Sequence, residues 1–233
     1  METPFVIFED NHLFALYKPA GMAVVPDSSG DYSLLDWGKD YIKKTRKKPG
    51  NVFLAVIHRI DRPVSGLVLF ARTSKAASRL SDQMRRRLIH KEYLAVVSPK
   101  PNKKSGVIET HLKKDRRRNT VRVVAPKEIG AKFSVTNWKA LENSGDLGLL
   151  LLSPATGRSH QLRVHTAQVL GSPILGDIKY GSKELILEGR GIALHSCKMT
   201  VTHPTLKESM SLVCPVPDYY PFDIFQATNM SKL

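Results

Sequence analysis

Short apolar runs alternate with polar breaks along this chain, and two periods can be read from them. FVIFED and HLFALYKP are extended runs separated by the turn-prone pair Asp10-Asn11, and the loop AGMAVVPDSSGDYS follows. Ser33 stands where it can cap a helix with Leu34, Leu35, Tyr41 and Ile42 on one face, running into the basic cluster KKTRKK. In NVFLAVI and SGLVLFA apolar residues fill both parities, which predicts two strands buried on both faces, with the polar segment HRIDRP between them. Thr73 or Ser74 can cap a second helix whose apolar face is Ala76, Ala77, Leu80, Met84 and Leu88 and whose end is Arg85-Arg86-Arg87. KEYLAVVS reads as a strand and ETHLKKDRRRNTVRVVAP as a hairpin with a basic tip. AKFSVTNWKALE and LGLLLLSPA form another pair around Asn143-Ser144-Gly145-Asp146. ATGRSHQLRVHTAQVLG reads as a turn into a helix stopped by Gly171, and IALHSCKMTVTHP with ESMSLVCPVP completes the sheet. Hairpins outnumber strand-helix-strand crossovers, so the expected class is α+β, a mixed and mostly antiparallel sheet flanked by helices and loops. With no internal repeat and no low-complexity tract, a single domain over residues 1–233 is expected.

Charge changes this picture more than composition does. An apolar fraction of 42% fills a hydrophobic core, but 36 Lys+Arg against 21 Asp+Glu leave a net charge of +15, which points to a polyanionic partner. No window approaches the roughly 20 apolar residues of a membrane span, and METPFVIFED lacks the layout of a signal peptide. A cytoplasmic protein is expected, with no membrane association. Cys197 and Cys214 are too few for a disulfide framework and stand apart from any Cys/His quartet, so free thiols and no metal are expected. The last residues, Ser231-Lys232-Leu233, spell a peroxisomal address in a eukaryotic context.

Three segments could carry chemistry. Asp61 in His58-Arg59-Ile60-Asp61-Arg62-Pro63 is either a turn acceptor or, flanked by Arg59 and Arg62, an anionic nucleophile suited to a sugar or base carbon without a metal. The turn Ala155-Thr156-Gly157-Arg158 before a helix could offer backbone donors and the charge of Arg158 and Arg163 to an anion, or simply be a helix cap with solvated arginines. His160 and His165 lack the spacing of four of a zinc-binding helix pair. Tyr93 could stack on a base or pack in a sheet. The clusters KKTRKK, RRR and KKDRRR, with Trp37, Tyr41, Tyr93 and Trp138 among them, match phosphate contacts with a few stacking surfaces.

Taken in order, the motifs LYKPAGM (Leu16 to Met22), HRIDRPVSG (His58 to Gly66), KEYLAVV (Lys91 to Val97), GRSHQLRVH (Gly157 to His165) and GSPILGDIKYG (Gly171 to Gly181) resemble the RluA-type family of RNA pseudouridine synthases. ALHSCKMTVTHP resembles its C-terminal strand, and Ile60 stands where Leu is more usual, a volume-conserving exchange. The resemblance implies the pseudouridine synthase catalytic fold and isomerisation of uridine to pseudouridine in RNA, with no cofactor. FVIFEDNHLFALYKPAG resembles the start of the catalytic domain, so no S4-type RNA-binding domain is expected ahead of it. By resemblance Asp61 is the catalytic nucleophile, Arg163 pairs with it, and Tyr93 lies against the target base and moves a proton late in the reaction. Substrate contacts are implied for His58, Arg59 and Arg62, with Arg59 filling the space left by the flipped base, for Leu194 on the base's other face, and for Arg116, Arg117 and Arg118 in a loop that grips a stem-loop.

The implied partner is an rRNA or tRNA stem-loop, bound by a monomer that needs no protein partner. A second reading, an RNA chaperone or ribosome-assembly factor on the same fold, is weakened by the joint presence of Asp61, Tyr93 and Arg163. Binding to anionic membranes is disfavoured because no basic amphipathic helix has a wide apolar face.

Overall fold

The computed structural model describes residues 2–47 and 49–225, so Lys48 of the first basic cluster and the tail Ser231-Lys232-Leu233 lie outside the described residues. Along the chain run β1 (Phe5–Glu9), β2 (Leu13–Lys18), α1 (Leu34–Thr45), β3 (Ala55–Val56), β4 (Ser65–Ala71), α2 (Ser74–Arg85) and β5 (His90–Val97). They are followed by β6 (Ser105–Asp115), β7 (Thr120–Val124), β8 (Lys132–Ser144), β9 (Leu147–Pro154), α3 (Gln161–Val164), β10 (Leu194–Thr202) and β11 (Ser209–Val213). The α+β class holds. The chain divides into two compact units, Met1–Lys91 with Ser196–Pro215 and Glu92–His195 with Val216–Leu233, and the division falls inside β5 and β10.

In the first unit the strands lie in the order β1-β2-β4-β10, with β11 on β10 and β3 on β4. Asp10 makes the β1–β2 turn: its Oδ1 accepts from the N–H groups of His12 and Leu13. Strands β2 and β4 are buried along their whole length, as apolar residues at both parities require. Ser33 and Asp36 form a reciprocal capping box that starts α1, and Thr73 Oγ1 accepts from Ala76 N–H to start α2. Ala76 and Leu80 of α2 pack on Leu13, Ala15, Leu67, Leu69, Met199 and Val201. Leu88, expected on that apolar face, lies beyond the end of the helix and is exposed.

NVFLAVI departs from expectation. Only Ala55 and Val56 pair, with Ala71 and Phe70 of β4, and Phe53 is 50% exposed. Apolar content marks a segment for burial, but a strand also needs a partner edge, and β4 offers this one only two residues. Gly66 shows the opposite constraint. Its φ is +115°, and a Cβ there would collide with the backbone of Ser196 in β10. HRIDRPVSG therefore ends on a glycine because two strands touch at that point.

In the second unit the order is β5-β9-β8-β6-β7, all antiparallel. The hairpin β6–β7 closes from Asp115↔Thr120 and carries Arg116, Arg117 and Arg118 exposed at its tip. The segment after Gly157 is not one continuous α-helix. α3 has four residues and passes into a π-helical turn, His165–Val169, ended by Leu170 and by Gly171 at φ +65°. The aromatic residues expected as stacking surfaces are largely internal: Trp138 is buried, and Trp37 stacks on Tyr41, whose ring packs on Phe14.

Candidate active site

The expected site residues fall in both units, and in the first they gather around a lysine. Lys18 closes β2 and is fully buried. Its Nζ donates to the carbonyl oxygens of Pro19 (2.8 Å), Met22 (2.8 Å) and Arg62 (3.0 Å), using all three hydrogens of an ammonium group. Gly21 N–H donates to the same Arg62 oxygen, and Val64 N–H to that of Asp61. The Asp61 loop is thereby fastened to the loop after β2 through the backbone oxygen of Arg62, among other contacts. Burial lowers Lys18 to about 7, with Asp61 pulling the other way and Arg62 adding to the lowering. The motif LYKPAGM was legible, but a role for Lys18 was not read from it. The available signal was a lysine ending a wholly apolar strand just before a proline.

Around this clamp the expected residues divide. Asp61 is half-buried and Arg59 is exposed. Arg62 donates to both carboxylate oxygens of Asp27, to Asp31 at 2.6 Å and to Ser29 Oγ, so its guanidinium holds the loop after β2. The hydroxyl of Ser29, followed by Arg62, brings Asp27 down to about 2, and Arg62 lowers Asp31. His58 faces inward. Its Nε2 accepts the N–H of Leu69, and burial with the charge of Lys91 lowers its imidazole to about 3. This histidine, expected at the RNA, makes a contact to a strand amide.

The second unit holds Tyr93, buried in β5 opposite Leu152 of β9, and Leu194, buried at the start of β10. Arg163 in α3 makes a two-pronged ion pair with Asp177, Nε to Oδ2 and Nη2 to Oδ1, both 2.7 Å, with both side chains almost wholly buried. Asp177 was not singled out from sequence, although it lies in GSPILGDIKYG. In the turn before α3 one backbone donor is already taken within the protein. Arg158 N–H is taken by Gln161 Oε1, which also accepts from Thr156 Oγ1, while Gln161 Nε2 donates to the Val135 carbonyl and to Thr136.

His165 lies among hydroxyls, Nδ1 against Thr136 and Nε2 against Thr110 and Ser134, all within 3.0 Å, and burial lowers it to about 4. Two buried neutral histidines predict an acid-sensitive fold. The unfolded chain protonates them near 6.5, whereas the native chain does so only near 3 and 4. Their contribution is complete above about pH 7 and is lost as pH falls below about 6.5. Urea midpoints are expected to drop between pH 7 and pH 5, and His165→Gln should reduce that slope. A flat profile over this range would contradict the assignment.

The RNA pseudouridylate synthase family profile matches residues 12–168. Ribosomal large subunit pseudouridine synthase C of Rickettsia typhi is 32% identical over 219 residues, spanning 94% of this chain and 70% of that protein. The dual-specificity RNA pseudouridine synthase RluA of Vibrio vulnificus is 33% identical over 219 residues, spanning 93% and 84%. Among solved structures, human RNA pseudouridylate synthase domain containing 4 aligns with TM-score 0.76 and 25% identity, over 91% of this chain and 88% of the other. The chain belongs to the RNA pseudouridine synthase family, whose enzymes isomerise uridine to pseudouridine within RNA. Within that family its likeness is to the RluA and RluC type. Among the described residues no helix is long and apolar enough to cross a membrane.

Proposed function

We propose that this enzyme isomerises specific uridines in structured rRNA or tRNA, acting as a cytoplasmic monomer with Asp61 as nucleophile on a flipped-out base. The bond between ribose C1' and base N1 breaks, the base turns while held, C5 bonds to C1', the C5 hydrogen leaves as a proton, and N1 takes up a proton. Attack at the sugar, attack at the base and a glycal route all call on the same carboxylate. Tyr93 lies along the base and moves a proton late in the reaction, and Leu194 packs on its other face. Arg163 supplies fixed charge to the reacting groups, and Arg59 fills the gap in the RNA stack.

The observation that supports Asp61 is the Lys18 clamp. A buried ammonium group is costly unless its charge and all its donors are used, and here it fixes the backbone of one short loop. A mere surface turn has no need of it. The test is tritium release from RNA labelled at uridine C5, prepared from cells lacking this protein and then fractionated. Release from an rRNA or tRNA fraction is expected and would name the substrate class. Tight RNA binding without release from any fraction would overturn the proposal in favour of an RNA chaperone.

Affinity for that RNA should fall steeply with salt, because phosphate neutralisation releases counterions. The exposed hairpin tip is expected to account for part of the slope. Replacing Arg116, Arg117 and Arg118 together by alanine should flatten the log–log plot by up to about three phosphate equivalents and leave the thermal midpoint unchanged. An unchanged slope would remove the tip from the RNA interface.

A further inference from the structure

Arg163 is held by more than Asp177. Its guanidinium carbon lies 5.0 Å from the ring centroid of Tyr180, a cation–π distance. The hydroxyl of that same tyrosine accepts the N–H of Val121 at 2.9 Å and shares a 2.6 Å hydrogen bond with His160 Nδ1. Val121 belongs to β7, the outer strand of the hairpin whose tip carries Arg116, Arg117 and Arg118. Two more bonds follow the same line: Gln168 Oε1 accepts from Val123 N–H, and Lys179 Nζ donates to the carbonyl of Asn119 at the tip. Leu112 and Val121 of the hairpin also pack with Val164, next to Arg163, and with Tyr180 and Val123.

One side chain therefore touches both the hairpin backbone and the guanidinium. The ring is seated under Arg163 and the hydroxyl is fixed by β7, so displacement of the hairpin changes the seat of the charge. A residue serving only to fill space would need neither the hydroxyl contact to β7 nor the face-on contact to Arg163.

We infer that Tyr180 is a positioning residue that couples RNA engagement by the basic hairpin to the alignment of Arg163. The inference rests on the parts given above to Arg163 in the reaction and to Arg116, Arg117 and Arg118 in RNA binding. An RNA that binds without engaging the hairpin is then converted slowly even at saturation, so substrate choice is expressed in the rate of the bound complex and not in affinity alone.

The experiment is a double-mutant cycle read by single-turnover tritium release from C5-labelled total RNA. Tyr180→Phe keeps the ring under Arg163 and removes both hydroxyl contacts. It should slow the saturated rate about tenfold, the scale of one to two hydrogen bonds, while RNA affinity stays within about twofold. The Arg116, Arg117 and Arg118 triple alanine variant should also be slow at saturation. Combined with it, Tyr180→Phe should cost nothing further, because the link is already idle.

A wild-type rate for Tyr180→Phe, or defects that multiply in the combined variant, would overturn the coupling. Arg163→Lys separates the two levels. A wild-type rate for this variant shows that the reading of Arg163 has failed, whereas an inactive Arg163→Lys beside a fully active Tyr180→Phe shows that only the coupling has failed. Should Tyr180→Phe not fold, amide exchange at Val121 in the wild type decides the matter. Slower exchange on adding the RNA, absent in the tip variant, is expected, and no change at Val121 overturns the inference.

Discussion

Asp61→Asn is expected to leave a folded protein that binds RNA within a few-fold of wild type and releases no detectable tritium. The substitution conserves shape and removes the anion. A nucleophile's loss costs at least about a thousandfold where binding and positioning survive. The Asp61 loop should stay in place, because the Arg62 carbonyl keeps its bonds to Lys18 and to Gly21 N–H in the variant. Removing the Asp61 charge also removes what opposes the lowering of Lys18, so the variant should be somewhat less stable. Binding and turnover must therefore be measured on the same preparation. Turnover near wild type would sink the nucleophile assignment, and lost binding with lost turnover would make Asp61 a structural residue.

Lys18→Met should have the largest effect on stability. Methionine fills a similar volume but leaves the carbonyls of Pro19 and Met22 without the Lys18 donor in a buried place, while the Arg62 carbonyl keeps only Gly21 N–H. Buried acceptors without donors cost about 1–3 kcal/mol each, reduced where a loop relaxes toward water, so a loss of about 3 kcal/mol is expected. Urea unfolding with an unchanged m-value reads it directly. Activity should fall as well, because the Asp61 loop loses its anchor. A variant within about 0.5 kcal/mol of wild type would show that the three contacts contribute little.

How far the sequence reached depended on whether the signal was local. Ser33 with Asp36, Thr73 before Ala76, Asp10 at its turn and the Asp115-to-Thr120 hairpin are decided within a few residues, and each was legible. NVFLAVI was misjudged because its strand depends on how much of β4 is free to pair with it. The π-helical turn after α3 was hidden for a similar reason, since His165 and Gln161 are set by hydroxyls and carbonyls from distant strands. In the site, the ordered motifs marked Asp61, Tyr93 and Arg163. What they could not show was the support: Lys18 beneath one loop, Asp177 against one arginine, and His58 turned inward to a strand amide. Those contacts join residues far apart in the chain, and no spacing rule encodes them.

The outer strand β7 carries a consequence for the behaviour of the protein at high concentration. A sheet's last strand ordinarily exposes a row of amides on which another chain can add, the usual start of aggregation. Here two of those outward groups, Val121 N–H and Val123 N–H, are already bonded to Tyr180 and Gln168, and arginines crowd the turn at the strand's end. The side chains that hold the hairpin in place thus also occupy part of this sheet edge. Loss of Gln168 would be felt first as poor solubility.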